Sequence, residues 1–286
     1  MSTILKKDSW INKFISDVPG LAHRTYFSKS MKMEIGYAIY LPPDYRFKPS
    51  RNDFKKKQYP VIYWLHGKGG DEASGFRVNI PAMFHKAIIE ASIGSAITVF
   101  PNCGNYSMFC DSLDKKIMGE TILISELIPL IDSTYSTIKS YGGRGIEGFS
   151  MGGFGAVKLA FKYPDMFSSV VTYAGSFHDL ESVSKNRPEV FEAMFGNDPE
   201  YFQQNSPYLL AEKNVYAIKK NVRLKFINGS EDFTLQNNTK LNNTLDDLDI
   251  KYDFSVLEGF YHTPTPYYES KGLEGFKFHA TNFRSD

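Results

Sequence analysis

The stretch Gly148-Phe149-Ser150-Met151-Gly152 reads G-x-S-x-G between a strand-length run and a helical pattern. Upstream, Arg144 to Phe149 is a short apolar-punctuated segment. Downstream, Ala156, Val157, Leu159, Ala160 and Phe161 recur at helical spacing and the pattern stops at Tyr163-Pro164. Five letters alone are a weak signal in a chain with 22 glycines. Their setting carries the weight: a serine on a sharp strand-to-helix turn exposes its Oγ, and glycines on either side keep Cβ atoms out of the bend. Ser150 is thus the candidate nucleophile.

The rest of the chain alternates around this point. Strands are predicted at 34–41, 61–65, 96–100, 170–174, 222–227 and 252–257, with helices near 79–92, 117–132 and 235–248 and in the segment after Pro266. Val61-Ile62-Tyr63-Trp64-Leu65 is apolar throughout, as a parallel strand covered on both faces should be. The pattern predicts an α/β fold with a mostly parallel central sheet and helices on both faces. Residues 1–286 read as one domain, with 1–30 an irregular or helical lead-in and 176–214 a turn-rich insertion near the site. Pro188, Pro199 and Pro207 punctuate that insertion.

In open α/β sheets, reactive groups gather beyond the carboxyl ends of the strands. Ser150, Asp232, His262 and the glycine turn at 67–70 each follow a predicted strand. A serine hydroxyl requires a base to take its proton, and an imidazole requires a carboxylate to fix its tautomer. Ser150, His262 and Asp232 supply these parts in the order serine, acid, histidine. His178 is the second candidate for the base, and Glu231 the rival for the acid. His66 is expected to shape its turn through a backbone hydrogen bond, while His85 and His279 suit surface or core positions. Developing negative charge on the substrate would need backbone N–H groups. The amide of Met151 at the helix start is one, and that of Lys68, or alternatively Gly69, is the second. Gly67, Tyr106, Phe109 and Tyr261 are candidates for the substrate pocket, with core packing the competing role for the aromatic ones.

Other chemistries find little support. Net charge is +1, leaving no electrostatic footprint for nucleic acid or an anionic membrane, and Lys55-Lys56-Lys57 reads as a solvated loop. Gly143-Arg144-Gly145-Ile146-Glu147-Gly148 matches G-x-G-x-x-G but leads into a strand, whereas a dinucleotide fingerprint follows one. No metal-ligand spacing stands out and no cofactor is expected. Cys103 and Cys110 read as free thiols rather than a disulfide. Met1 to Asn12 lacks an apolar h-region and no run approaches a membrane span, so the chain reads as soluble and cytoplasmic. Secretion is the alternative if a signal peptide has been replaced by the start methionine.

Tyr63 through Glu72, Gly148 through Gly155, and the late Asp232 and His262 resemble the putative-esterase family, which includes feruloyl esterases and esterase D. The resemblance spans about residues 20 to 275. It implies an α/β-hydrolase fold, a Ser150–Asp232–His262 triad, and a small-molecule ester or acylated carbohydrate as substrate. The chain looks closest to the feruloyl-esterase-like branch. S-formylglutathione hydrolases typically carry Ser-Gly-Leu-Thr-Cys where this chain has His66-Gly67-Lys68-Gly69-Gly70, and Ser-Trp where it has Thr263-Pro264. An S-formylglutathione hydrolase, an acyltransferase with the same triad and a catalytically silent binding protein are the alternatives.

Overall fold

A computed structural model describes residues 9–45 and 57–284. The loop lysines 55 and 56 lie outside these residues. Eight strands form one sheet: β1 (Leu21–Ser28), β2 (Met33–Tyr40), β3 (Val61–Leu65), β4 (Ile97–Pro101), β5 (Arg144–Phe149), β6 (Ser169–Tyr173), β7 (Arg223–Gly229) and β8 (Asp253–Leu257). Their spatial order is β1-β2-β4-β3-β5-β6-β7-β8. Strands β4 to β8 run parallel with β3, and β1 and β2 add antiparallel pairs at one edge.

The all-apolar strands are explained by two cores, one on each face. Along β3, Val61, Tyr63 and Leu65 join one core, and Ile62 and Trp64 join the other. The first core contains Phe154, Val157 and Phe161 of the helix Met151–Lys162. The second contains Phe84 of the helix Ile80–Ile89 and Tyr268 and Phe276 of the helix Pro264–Asn282. Helices therefore cover both faces, as the sequence pattern predicts.

Two regions differ from expectation. β1 falls inside the predicted lead-in. It is an edge strand paired only with β2, its central Arg24 and Thr25 are exposed and His23 is held by Glu72, so it shows no apolar run. The segment from 176 onward is not turn-rich but a string of short helices, Leu180–Asn186, Pro188–Phe195, Pro199–Gln204, Pro207–Lys213 and Val215–Asn221. The three prolines that read as breaks are helix starts. Each stands at the first helical position, where its missing N–H has no partner to lose. Asp198 reinforces one of these starts by accepting hydrogen bonds from the amides of Glu200 and Tyr201.

The glycines of the G-x-G-x-x-G string serve packing. A Cβ on Gly143 would meet Ile138 at 2.4 Å, one on Gly145 would meet His279 Nδ1 at 2.5 Å, and one on Gly148 would meet the carbonyl carbon of Gly152 at 2.5 Å. Among the described residues no helix is long and apolar enough to cross a membrane. Cys103 and Cys110 are free, buried thiols.

Candidate active site

Ser150 sits between β5 and the helix Met151–Lys162 with φ 58° and ψ −117°. A side chain in this region costs about 1–3 kcal/mol and persists only where surroundings enforce it. Here they do. Its N–H donates to Tyr173 O at 2.9 Å, and its own carbonyl accepts from Phe154 N at 3.0 Å and Ser176 N at 3.1 Å. The turn also brings the backbone against β3: a Cβ on Gly152 would stand 2.0 Å from Leu65 O. The motif glycine is a steric requirement of that approach.

The ends of β7 and β8 deliver the partners. Asp232 is buried whereas Glu231 is exposed. His262 Nδ1 lies 2.9 Å from both Asp232 oxygens, and its Nε2 lies 2.8 Å from Ser150 Oγ. A carboxylate accepts only, so Nδ1–H donates to Asp232 and Nε2 is free to accept from the serine hydroxyl. Asp232 Oδ1 accepts from the Thr234 amide at 2.9 Å and hydroxyl at 2.7 Å, and Oδ2 accepts from Tyr267 at 2.8 Å. Burial pushes this carboxyl up, but hydrogen bonds from His262 and then from Thr234 prevail and hold it below the ordinary range. Thr234 and Tyr267 escaped the sequence reading, Tyr267 because it arrives from a different element 35 positions away.

Ser176 escaped it as well. Its Oγ is 3.2 Å from Ser150 Oγ, so with the Ser150 proton directed to His262, Ser176 is the donor. No motif marks it; it reaches the site through the chain reversal after β6, where Ala174 adopts φ 48°.

The glycine turn after β3 faces the serine. The Gly69 amide is taken by Asn105 O at 2.7 Å and that of Gly70 by Gly67 O at 3.0 Å. The Met151 amide is in the first turn of its helix, where amides lack an intrahelical acceptor and the dipole favours negative charge. His66 is fully buried and its Nδ1 lies 3.0 Å from Gly67 O, the backbone contact expected of it.

A cavity of about 520 Å³ opens over Ser150 and His262, within the range of small-molecule sites. Gly67, Lys68, Tyr106 and Met151 line it, and Trp64, Phe149 and Phe233 supply aromatic surface. Phe109 and Tyr261 do not line it. The Phe109 ring is fully buried against His66, with centroids 5.2 Å apart, and fills the space above Gly155. Tyr261 is 67% exposed, pointing out beside His262. His178 lines the cavity but bonds Ser182 Oγ through Nδ1 at 2.9 Å. Burial first, and the Arg187 charge next, hold it down at about 4, a neutral imidazole at physiological pH. Among the described residues no group of three or more His, Cys, Asp or Glu could hold a metal ion.

The topology is that of the α/β-hydrolase fold, and the comparisons agree. A solved structure of a ferulic acid esterase superposes with a TM-score of 0.76 at 23% identity, covering 92% of this chain and 98% of its own. Residues 28–249 match the putative esterase family, to which this chain belongs. An esterase of Mycobacterium tuberculosis is 30% identical over 161 residues, 55% of this chain. The match spans about a third (32%) of that relative's length. An acetyl esterase of Caldicellulosiruptor saccharolyticus is 23% identical over 243 residues, 80% of this chain and 87% of the relative.

Proposed function

We propose that this chain is a serine carboxylic ester hydrolase working through an acyl-enzyme. The hydrogen-bonded line from Ser150 Oγ through His262 to Asp232, at 2.8 and 2.9 Å, carries the reading. Ser150 attacks the ester carbonyl as His262 Nε2 takes its proton. The imidazolium so formed is stabilised by Asp232, whose other bonds to Thr234 and Tyr267 keep it ionised and fixed. Negative charge on the carbonyl oxygen is received by the amides of Met151 and Lys68. His262 then returns the proton to the departing alcohol, and water, activated by the same imidazole, releases the acid. The largely apolar cavity suits an aryl acyl group of the feruloyl kind, and the family membership and the ferulic acid esterase fold likeness support the same direction.

The decisive experiment is Ser150→Ala assayed on a p-nitrophenyl ester. A loss on the order of 10⁶ in kcat with an intact circular dichroism spectrum is expected. Absence of hydrolysis by the wild type, or its retention in the variant, sinks the mechanism. Comparing acetyl, butyryl and feruloyl esters then ranks the acyl group.

A further inference from the structure

The charges around the cavity are one-sided. Lys68, Arg77 and Arg187 line it, and among the described lining residues none is acidic. Two of these cations are neutralised from outside the lining. Lys68 Nζ is 3.0 Å from Glu189, and the Arg77 guanidinium is 2.8 Å from Asp71. Arg187 differs. It is half-buried, and among the described residues no carboxylate stands within ion-pair distance of it; Glu189 feels its charge but bonds Lys68. Its guanidinium donates to the carbonyl of Asn186 at 2.9 Å and rests over Phe233, with Cζ 5.9 Å from the ring centroid. Five N–H donors in a planar fork are more than these two contacts use.

Local structure fixes this placement. Arg187, at φ −141° and ψ 49°, is the hinge between the helices Leu180–Asn186 and Pro188–Phe195. Pro188 bars the residue before it from helical geometry and starts the next helix, so the corner is built by sequence. From Arg187 the surface runs over Phe233 to the imidazole, since the Phe233 and His262 ring centroids are 4.3 Å apart. In acyl transfer the leaving oxygen lies beside the imidazole that protonates it, opposite the amides that hold the carbonyl oxygen. The part of a substrate passing over His262 and Phe233 is therefore its alcohol portion. A guanidinium with no carboxylate bonded to it, at the end of that path, matches a carboxylate in charge and in bidentate shape.

Resting on the ester-hydrolase reading, we propose that Arg187 is a specificity-determining residue that pairs with a carboxylate on the leaving group, so that the preferred ester releases an anionic alcohol or phenol.

The test compares 4-carboxyphenyl acetate with 4-carbamoylphenyl acetate, which match in shape and differ in charge. For a partly solvated ion pair, the wild type should favour the carboxylate by about tenfold in kcat/KM at low ionic strength, less at 0.5 M salt. Arg187→Gln should bring the ratio to about one, Arg187→Lys should keep part of it, and Arg187→Glu should invert it, with Tm reporting that each variant is folded. A wild-type ratio near one, or a ratio that survives Arg187→Gln, overturns the proposal. Monophenyl adipate against its amide places the charge on the acyl side instead; an Arg187-dependent preference there and not with the phenolate pair overturns the leaving-group assignment. If the wild type hydrolyses neither acetate nor a p-nitrophenyl ester, the ester-hydrolase reading fails and Arg187 loses this role with it. That outcome is distinct from hydrolysis without charge preference.

Discussion

The two sides of the cavity are held in different ways. On the strand side, Ser150, Asp232 and His262 follow the ends of β5, β7 and β8, and each polar atom has a defined partner. Asp232 alone accepts from His262, Thr234 and Tyr267. Beneath them the helix Met151–Lys162 is anchored by a buried charge cluster. Lys158 donates to Phe109 O at 3.0 Å and pairs with Glu120, which also pairs with Lys162 at 2.7 Å. On the opposite side, the wall comes from short helices after β6, through Val183, Arg187 and Val190. Hydrogen bonds to the proposed triad come from the first side; the second adds apolar surface and the Arg187 charge. Changes on the strand side should abolish chemistry, whereas changes in the helical wall should redirect it.

Replacing Asp232 by Asn breaks the strand side most directly after loss of the serine itself, because it favours the wrong imidazole tautomer. A fall of about 10⁴ in kcat is expected, against less than about twofold for the exposed neighbour Glu231→Gln. Equal losses in the two variants would mean that the acid is misassigned.

The foundation of that side should fail in acid. Burial alone would raise the Glu120 carboxyl, but Lys158, then Lys162 and Tyr163, hold it at about 2 against an ordinary 4.5. A depressed carboxyl contributes stability that is present above pH 4.5 and is lost as pH falls toward 2. Roughly 2–3 kcal/mol should disappear over that window in urea titrations. Glu120→Gln should flatten the acid limb while costing about 3 kcal/mol at neutral pH, because it leaves Lys158 buried without its anion. An unchanged acid slope would show that the cluster is not the acid-labile element.

The helical wall should respond more gently. Val190→Ala should raise KM for a bulky aryl ester by about fivefold to tenfold and leave kcat within about twofold. A collapse of kcat there would erase the distinction between the two sides.

Legibility in the sequence follows the same division. Residues such as Ile62 and Trp64, or Val170 and Val171, announce a strand because burial on both faces demands apolar side chains without interruption. β1 gives no such signal, since an edge strand tolerates the exposed Arg24 and Thr25, while His23 is held by buried Glu72 at 3.0 Å. The residues of the proposed triad could be picked out because each follows its strand closely in the chain. Thr234 is adjacent to Asp232 yet silent, because a threonine in a turn has many ordinary uses. Pro188, Pro199 and Pro207 misled in a specific way: proline stops one helix and starts the next with equal ease.

By itself the sequence determined the strained serine turn, since Gly148 and Gly152 are required wherever a backbone must approach within a Cβ's reach of another strand. It also determined the alternating elements that put Ser150, Asp232 and His262 beyond the carboxyl ends of their strands. Only the tertiary structure decided that Asp232 is buried while Glu231 is not, that Ser176 and Tyr267 stand beside Ser150 and Asp232, and that Phe109 turns into the core. It alone left Arg187 over Phe233 with no carboxylate at ion-pair distance among the described residues. Periodicity and steric demand act along the chain and can be read there. Which side chains meet across 26 or 35 positions depends on how separate elements pack, and no local pattern encodes it.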